Sequence, residues 1–525
     1  MTQQKSEDRV VPDARGNPCG TDDPRRHRGG KAVSVKEEER QLMLFSATAD
    51  NSRSDREVRG GGGVDRSTSR SPRAPKAGAK RRQAVPVTME EVVERLEQAF
   101  EKVATNRGAP GPDRQSIEQV REHLPVLLPE LAAALLGGSY RPGDIRRVWI
   151  PKAGGGQRGL GIPNVVDRMV QEALRSVLEP LYEPTFHPSS HGFRPGRSCQ
   201  TAIAEARAFV AEGHHVVVDL DLEKFFDQVC HQRLLSRLAQ RVHDKRLLVL
   251  IGRMLKSKVL MPDGVRVSTE QGVPQGGPLS PLLSNIVLSE LDEELARRGL
   301  RFVRYADDCN IYVRSERAGQ RVMASVASFI ERRLRLKVNA AKSAVARPET
   351  RHFLGYRLLP CVGKRPEILL SERSEKRLRE RLLELTPRSS GRSLREIIRA
   401  VNAYLDGWLG HFGICTSGIE RTLQGADAHT RRRLRALVLH HWKGQSTIAR
   451  RLIRLGVKPR TAWRRVYEGH RSLWALSHDP AVDRGLRNAY FAERGLVPLL
   501  DRFRPLWAAS AAPTQLLLPL GPARS

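Results

Sequence analysis

A mixed α/β unit followed by an all-helical region is the fold class that this sequence predicts, and three observations predict it. Between about 145 and 360, short runs of strand-forming residues alternate with helical ones, the pattern of helices packed on a sheet. Beyond about 370 the strand signals stop and apolar residues recur at three- and four-residue spacing, as one face of a helix requires. Before about 87, Arg, Gly, Ser, Asp and Pro dominate, with Gly60 to Gly63 in a row. Such a stretch buries too little apolar surface to offset the entropy of ordering it.

Residues 1–86 are therefore expected to be a disordered tail, basic at its end through Arg70, Arg73, Lys76, Lys80, Arg81 and Arg82. From Thr88 the spacing of Val92, Val93, Leu96 and Phe100 predicts helix. Val216 to Leu222 alternates as a strand, with Val216, Val218, Leu220 and Leu222 on one face and Asp219 and Asp221 on the other. Glu223 to Asp227 follows directly, so backbone N–H groups leaving the strand can meet a phosphate beside an aromatic ring. Gln271 to Pro281 is a glycine-containing loop that runs into a helix through Leu282, Leu283, Ile286 and Leu291. Ser280 suits the N-cap of that helix and Pro281 its first position, while glycine lets backbone approach a ligand closely.

Tyr305-Ala306-Asp307-Asp308 reads as the tip of a β-hairpin, with Phe302 and Val303 entering it and Ile311, Tyr312 and Val313 leaving it. Adjacent carboxylates repel each other, and a hard divalent cation such as Mg²⁺ removes that cost. Each segment alone also fits a bland role: a solvated turn, an edge strand with a polar face, a Gly-Pro loop. Further on, Ser393 and Glu396 form a capping box for a helix whose apolar face runs through Leu394, Ile397, Ile398, Val401, Tyr404, Leu405 and Trp408.

Composition narrows the partner. Among 525 residues, 90 Lys and Arg stand against 58 Asp and Glu, a net charge of +32 that suits a long polyanion such as nucleic acid. No run of about 18 apolar residues offers a membrane span, and the first nine residues lack the apolar core of a signal peptide, so a soluble intracellular protein is expected. The six cysteines are scattered singly, with neither zinc-ligand spacing nor a disulfide framework. Arg431, Arg432, Arg433, Arg435, His440, His441, Trp442 and Lys443, then Arg450, Arg451, Arg464 and Arg465, mix cations with aromatics as RNA-binding surfaces do, although a solvated basic helix would look the same.

The order Asp221, then Gln275-Gly276, then Tyr305-Ala306-Asp307-Asp308 is that of polymerase motifs A, B and C, and together these segments resemble the palm of a reverse transcriptase. Over about 90 to 505 the chain resembles bacterial group II intron reverse transcriptases and maturases. Asn106-Arg107-Gly108-Ala109-Pro110-Gly111-Pro112-Asp113 resembles their N-terminal extension motif, and Ile150-Pro151-Lys152, Arg158 to Pro163 and Asp167-Arg168 their first block. Ser190-His191-Gly192-Phe193-Arg194-Pro195-Gly196 resembles the second, with His191 where tyrosine is usual. Leu336 to Lys342 and Phe353-Leu354-Gly355-Tyr356 resemble the last palm blocks, Asp406-Gly407-Trp408 the maturase thumb, and Leu473 to Leu500 the region near the end.

The resemblance implies a right-hand polymerase: fingers and palm over 87–365, a helical thumb and maturase domain over 366–465, a small nucleic-acid-binding segment over 466–508 and a flexible tail over 509–525. It implies an RNA-directed DNA polymerase using two Mg²⁺ ions, with Mn²⁺ a possible substitute, held by Asp221, Asp307, Asp308 and the Leu222 carbonyl. Lys152 and Arg158 would grip the triphosphate, Phe226 would exclude a ribose 2′-hydroxyl, Gln275, Gly276 and Tyr305 would adjoin the incoming nucleotide, and Lys342 would protonate the leaving pyrophosphate. Implied partners are an RNA template such as intron RNA, a DNA primer or target, and dNTPs. The Cys- and His-bearing endonuclease domain of some relatives is not expected. Two other readings stay open: an enzyme freed from its intron for DNA repair or phage defence, and an RNA-binding splicing cofactor without polymerase activity. Gln41-Leu42-Met43-Leu44-Phe45 and Gln515-Leu516-Leu517-Leu518-Pro519-Leu520 resemble peptides that dock into the bacterial sliding clamp, although such pentamers also arise by chance.

Overall fold

The computed structural model describes residues 87–151, 156–468 and 472–504. The expected N-terminal tail, both clamp-like peptides and Lys152 lie outside these residues. Helices α1 (Met89–Glu94), α2 (Leu96–Thr105) and α3 (Ile117–Leu136) open the described chain. Strands β1 (Ile145–Pro151) and β2 (Gln157–Ile162) follow, then helices α4 (Val165–Tyr182) and α5 (Cys199–Ala211) and strand β3 (Val216–Leu220). Next come α6 (Phe225–Gln228), α7 (His231–Ala239), α8 (Lys245–Leu255), the short strands β4 (Val259–Leu260) and β5 (Arg266–Val267), and α9 (Ser280–Arg297). The hairpin β6 (Arg301–Tyr305) and β7 (Asp308–Val313), helix α10 (Glu316–Phe329) and strand β8 (Ala344–Ala346) complete the mixed unit, and β9 (Tyr356–Leu359) pairs with β10 (Glu367–Leu370).

Two four-stranded sheets result. One has the order β2-β1-β4-β5 and the other, all antiparallel, the order β6-β7-β3-β8. The predicted alternation in β3 holds: Val216, Val218 and Leu220 enter one apolar core with α4, α9, Phe302 and Ile311, whereas Val217 enters a second core. That second core joins the outer sheet face, through Val217, Val303 and Tyr312, to the helices that follow.

Those helices are α11 (Glu372–Leu385), α12 (Leu394–Phe412), α13 (Ile419–Trp442), α14 (Gln445–Arg454), α15 (Pro459–Tyr467), α16 (Leu473–Leu476), α17 (Pro480–Gly485) and α18 (Asn488–Ala492). The capping box at Ser393 and Glu396 forms as expected, and Ile397, Ile398, Val401, Leu405 and Trp408 are buried along one face of α12. Helix α5 is bonded to this region, since Gln200 Nε2 donates to the Gly410 and His411 carbonyls and Arg207 Nε to Pro366 O. Residue 365 falls in the turn between β9 and β10, and residue 465 falls inside α15. Among the described residues no helix is long and apolar enough to cross a membrane.

Candidate active site

Strand pairing brings the carboxylates together. Asp219 pairs with Asn310 and Leu220 with Cys309, so the same register carried one residue further sets Asp221 opposite Asp308. Asp307 lies in the two-residue turn between Tyr305 and Asp308. The two aspartates of β3 then part company. Asp219 accepts from Arg351 Nε at 2.9 Å and Nη2 at 2.5 Å, and the same guanidinium donates to Lys342 O at 2.8 Å. Among the described residues no arginine is ion-paired with Asp221; Lys342 Nζ stands 3.3 Å from its Oδ2. Its backbone is pinned on both sides, because Asp221 N donates to Ser343 Oγ and Asp221 O accepts from Asn339 N. Leu222 bridges Val338 through bonds at Glu223 N and Asp221 O, so neither bond of that bridge occupies the Leu222 carbonyl.

The turn itself is held by a clip that sequence reasoning missed. Ala306 has φ +57°, the left-handed region that costs a non-glycine residue roughly 1–2 kcal/mol. Ser190 lies parallel beside Arg304 as a short bridge, with Arg304 N donating to Ser189 O and His191 N donating to Arg304 O. The Arg304 side chain is fully buried and donates to both oxygens of Asp292, to Asn285 Oδ1, to Ser190 Oγ and to the Ala306 carbonyl. Asn285 in turn donates to Gly192 O. A Cβ at Gly192 would come within 2.2 Å of Ala306 N, so only glycine lets this segment lie against the turn. His191, the departure from the family pattern, is buried and bonds Glu205 at 2.6 Å and Thr201 at 2.9 Å, fastening the clip to α5. The available signal was parity: period-two alternation puts Arg304 on the core face with Phe302, where an unpaired charge is untenable.

The glycine-containing loop is a junction. Val273 N donates to Phe226 O and Gly272 N to Val229 O, which ties the loop to α6 behind Asp221. Gly161 N in β2 donates to Gln275 O at 2.6 Å, and a Cβ at Gly276 (φ +123°) would meet Gly161 O at 2.3 Å. Phe226 is half-buried, edge-on to the buried Phe225 with ring centroids 5.2 Å apart. One expectation shifts by a residue: α9 begins at Ser280, not after it, and Leu279 occupies the N-cap. Ser280 Oγ donates back to Pro274 O at 2.6 Å, bracing the loop instead of capping the helix. Arg158 is exposed on β2, where its charge offsets part of the rise that burial imposes on the Asp307 carboxyl. The half-buried Tyr305 is hydrogen-bonded to Cys199 and packs against the second core.

Crowding by protein, and then the charges of Asp307, Asp219 and Asp221, push the Asp308 carboxyl up to about 7, with Lys342 opposing them. Its side chain still opens to the cleft. Burial likewise raises Asp307, with Asp221 adding to it. No three His, Cys, Asp or Glu side chains among the described residues form a ready-made metal cluster. The donor chemistry nevertheless fits a hard cation: three carboxylates that raise one another's affinity for positive charge, one already facing an ammonium group.

In the helical region, some cations predicted at an RNA surface brace the fold. Arg433 donates to Thr386 O, Arg435 to Leu486 O, and His441 bonds Ser390 O. Arg432 and Arg388 lie over the Trp474 ring, at 3.9 and 5.0 Å from its centroid.

Residues 150–358 match the reverse transcriptase (RNA-dependent DNA polymerase) family, and residues 375–455 match the group II intron maturase-specific domain. Protein YkfC of Escherichia coli is 32% identical over 305 residues, covering 50% of this chain and 80% of that protein. The group II intron-encoded protein LtrA of Lactococcus lactis subsp. cremoris is 38% identical over 176 residues, covering 33% of this chain and 29% of LtrA. Among solved structures, a chain of a partial Cas6-RT-Cas1–Cas2 complex aligns with TM-score 0.31 and 22% identity, over 46% of this chain and 42% of that one.

Proposed function

Because this chain belongs to the group II intron reverse transcriptase and maturase family, we propose that it extends a primer with dNTPs on an RNA template where Asp221, Asp307 and Asp308 meet, and that its helical region holds intron RNA for splicing and retrohoming. One observation carries the polymerase reading. The strand register, carried one residue beyond the Leu220–Cys309 pair, sets Asp221 opposite Asp308 with Asp307 in the turn between, while the loop bearing Gln275 and Gly276 is bonded to β2 through Gly161 N and Gln275 O.

Bound Mg²⁺, or Mn²⁺ in its place, supplies Lewis acidity at the attacking and leaving oxygens of phosphoryl transfer; Asp221, Asp307, Asp308 and the Leu222 carbonyl would hold it. Arg158, with Lys152 beyond the end of β1, grips the triphosphate through donors suited to phosphate oxygens. Phe226, fixed by the bond from Val273 N to its carbonyl, presents its ring where a ribose 2′-hydroxyl would sit, so the product is DNA. Gln275, Gly276 and Tyr305 adjoin the nascent pair. Lys342, whose ammonium stands 3.3 Å from Asp221, would donate a proton to the departing pyrophosphate.

Primer extension by the wild type, Asp307→Ala and Asp308→Ala tests this. Extension by the wild type alone is expected, and equal inactivity of all three would sink the polymerase reading. The maturase half is tested by splicing of the RNA encoded around the gene: the wild type and Asp307→Ala should both promote it. An absence of foldable intron RNA there would remove that half while leaving the polymerase.

A further inference from the structure

Helices α14 and α15 form a hairpin whose inner side is apolar, with Ile448, Ala449, Leu452, Ala462 and Val466 buried. Two features mark its outer side. Between Gln445 and Tyr467 there are seven Lys or Arg and no Asp or Glu. Arg460, Trp463, Arg464 and Tyr467 also recur at i, i+3, i+4 and i+7, so all four share the exposed face of α15. Trp463 keeps 38% of its surface in water and Tyr467 keeps 51%, and their rings lie 5.7 Å apart, tilted by 31°. Helix α15 begins after the last residue of the maturase-specific match.

We propose that this face of α15 is a stacking platform for unpaired nucleotides, with Trp463 and Tyr467 taking base faces and Arg460 and Arg464 the flanking phosphates. The argument is one of complementarity. A strongly cationic field, in which Glu468 and Asp479 offset Arg465 alone, selects a polyanion, and two large rings left in water are matched by a polyanion that carries its own flat apolar surfaces. A paired duplex hides those surfaces, so a strand, loop or bulge is the occupant. The inference refines the RNA-holding role proposed for the helical region, but its test is independent of polymerisation.

The full chain is titrated, without Mg²⁺ or dNTP, with a fluorescent oligouridylate, its deoxy counterpart and a duplex, over a range of KCl. For the doubly substituted Trp463→Ala, Tyr467→Ala chain, single-strand affinity should fall by roughly tenfold to a hundredfold. Its salt dependence and duplex affinity should not change, and Trp463→Phe should largely retain binding. Arg460→Gln with Arg464→Gln should make the slope of log affinity against log salt shallower by about 1.4. Bromouridine in the strand should photo-crosslink to the peptide holding Trp463 and Tyr467. The ratio of the RNA and DNA affinities identifies which strand the platform favours. Unchanged single-strand affinity in the double alanine variant with crosslinks elsewhere would overturn the proposal, as would an equal loss on single strand and duplex. Asp307→Ala should bind the strand like wild type, which separates this result from failure of the polymerase reading.

Discussion

The turn at Asp307-Asp308 and the face of α15 both concentrate like charge, and they handle it in opposite ways. Around the turn, Arg304 is sealed in the core with five hydrogen bonds to named partners, and Arg351 cancels Asp219. On α15, Arg460 and Arg464 stand in water. Where charges are buried and paired, position is fixed to fractions of an ångström, and removing one partner is severe. Where they are exposed, the useful product is a field, graded and screened by salt. Substitutions at the turn should therefore act steeply and be insensitive to salt, and those on α15 should act in small increments that salt erases.

The sharpest break is Asp307→Ala, which should lower primer extension by roughly four orders of magnitude through loss of transition-state stabilisation, with little change in melting. Single-turnover extension checks it, and a residual rate near wild type would mean that another group carries the chemistry. Next is Arg304→Met, which strands Asp292 in the core and should cost about 3–5 kcal/mol in urea unfolding. Adding Asp292→Leu should recover part of that loss, and no recovery would mean that the ion pair is not the source. Phe226→Ala should leave dNTP addition near normal while narrowing the preference for dNTP over NTP by roughly tenfold to a hundredfold, read from the ratio of kcat/KM values.

The last effect is one of pH. An unfolded aspartate titrates near 3.9, whereas folded Asp308 is pushed up to about 7. Between those values the folded chain holds a proton that the unfolded chain has released, so its stability should decline as pH rises from about 4 to 7 and level off above. Melting curves of metal-free protein test this. Asp308→Asn should flatten the decline and Mg²⁺ should oppose it; a slope unaltered by both would place its origin elsewhere.

What could be read from the sequence was local. The hairpin, the alternation of β3 and the capping box at Ser393 depend on residues within one element, and all three formed. What escaped was set by distant partners. Nothing near Asp219 announces Arg351, which comes 132 residues later, so in the sequence the choice between Asp219 and Asp221 rests on family spacing alone. The need for glycine at 192 arises from the backbone of Ala306 across the fold. Ser280 was misjudged by one position because its hydroxyl serves the preceding loop, a tertiary contact that helix-start rules do not include.

The second core has a practical consequence. Val217, Val303 and Tyr312 lie on the back of the same strands whose ends bear the three aspartates, and they share one apolar core with side chains of α5, of β9 and of the helical region. A chain cut after Leu370 would strip the His411 and Phe412 rings from Tyr356 of β9 and turn the dry outer side of that core into an adhesive one. Anyone seeking a minimal copying enzyme from this protein will have to redesign that surface before discarding the helices.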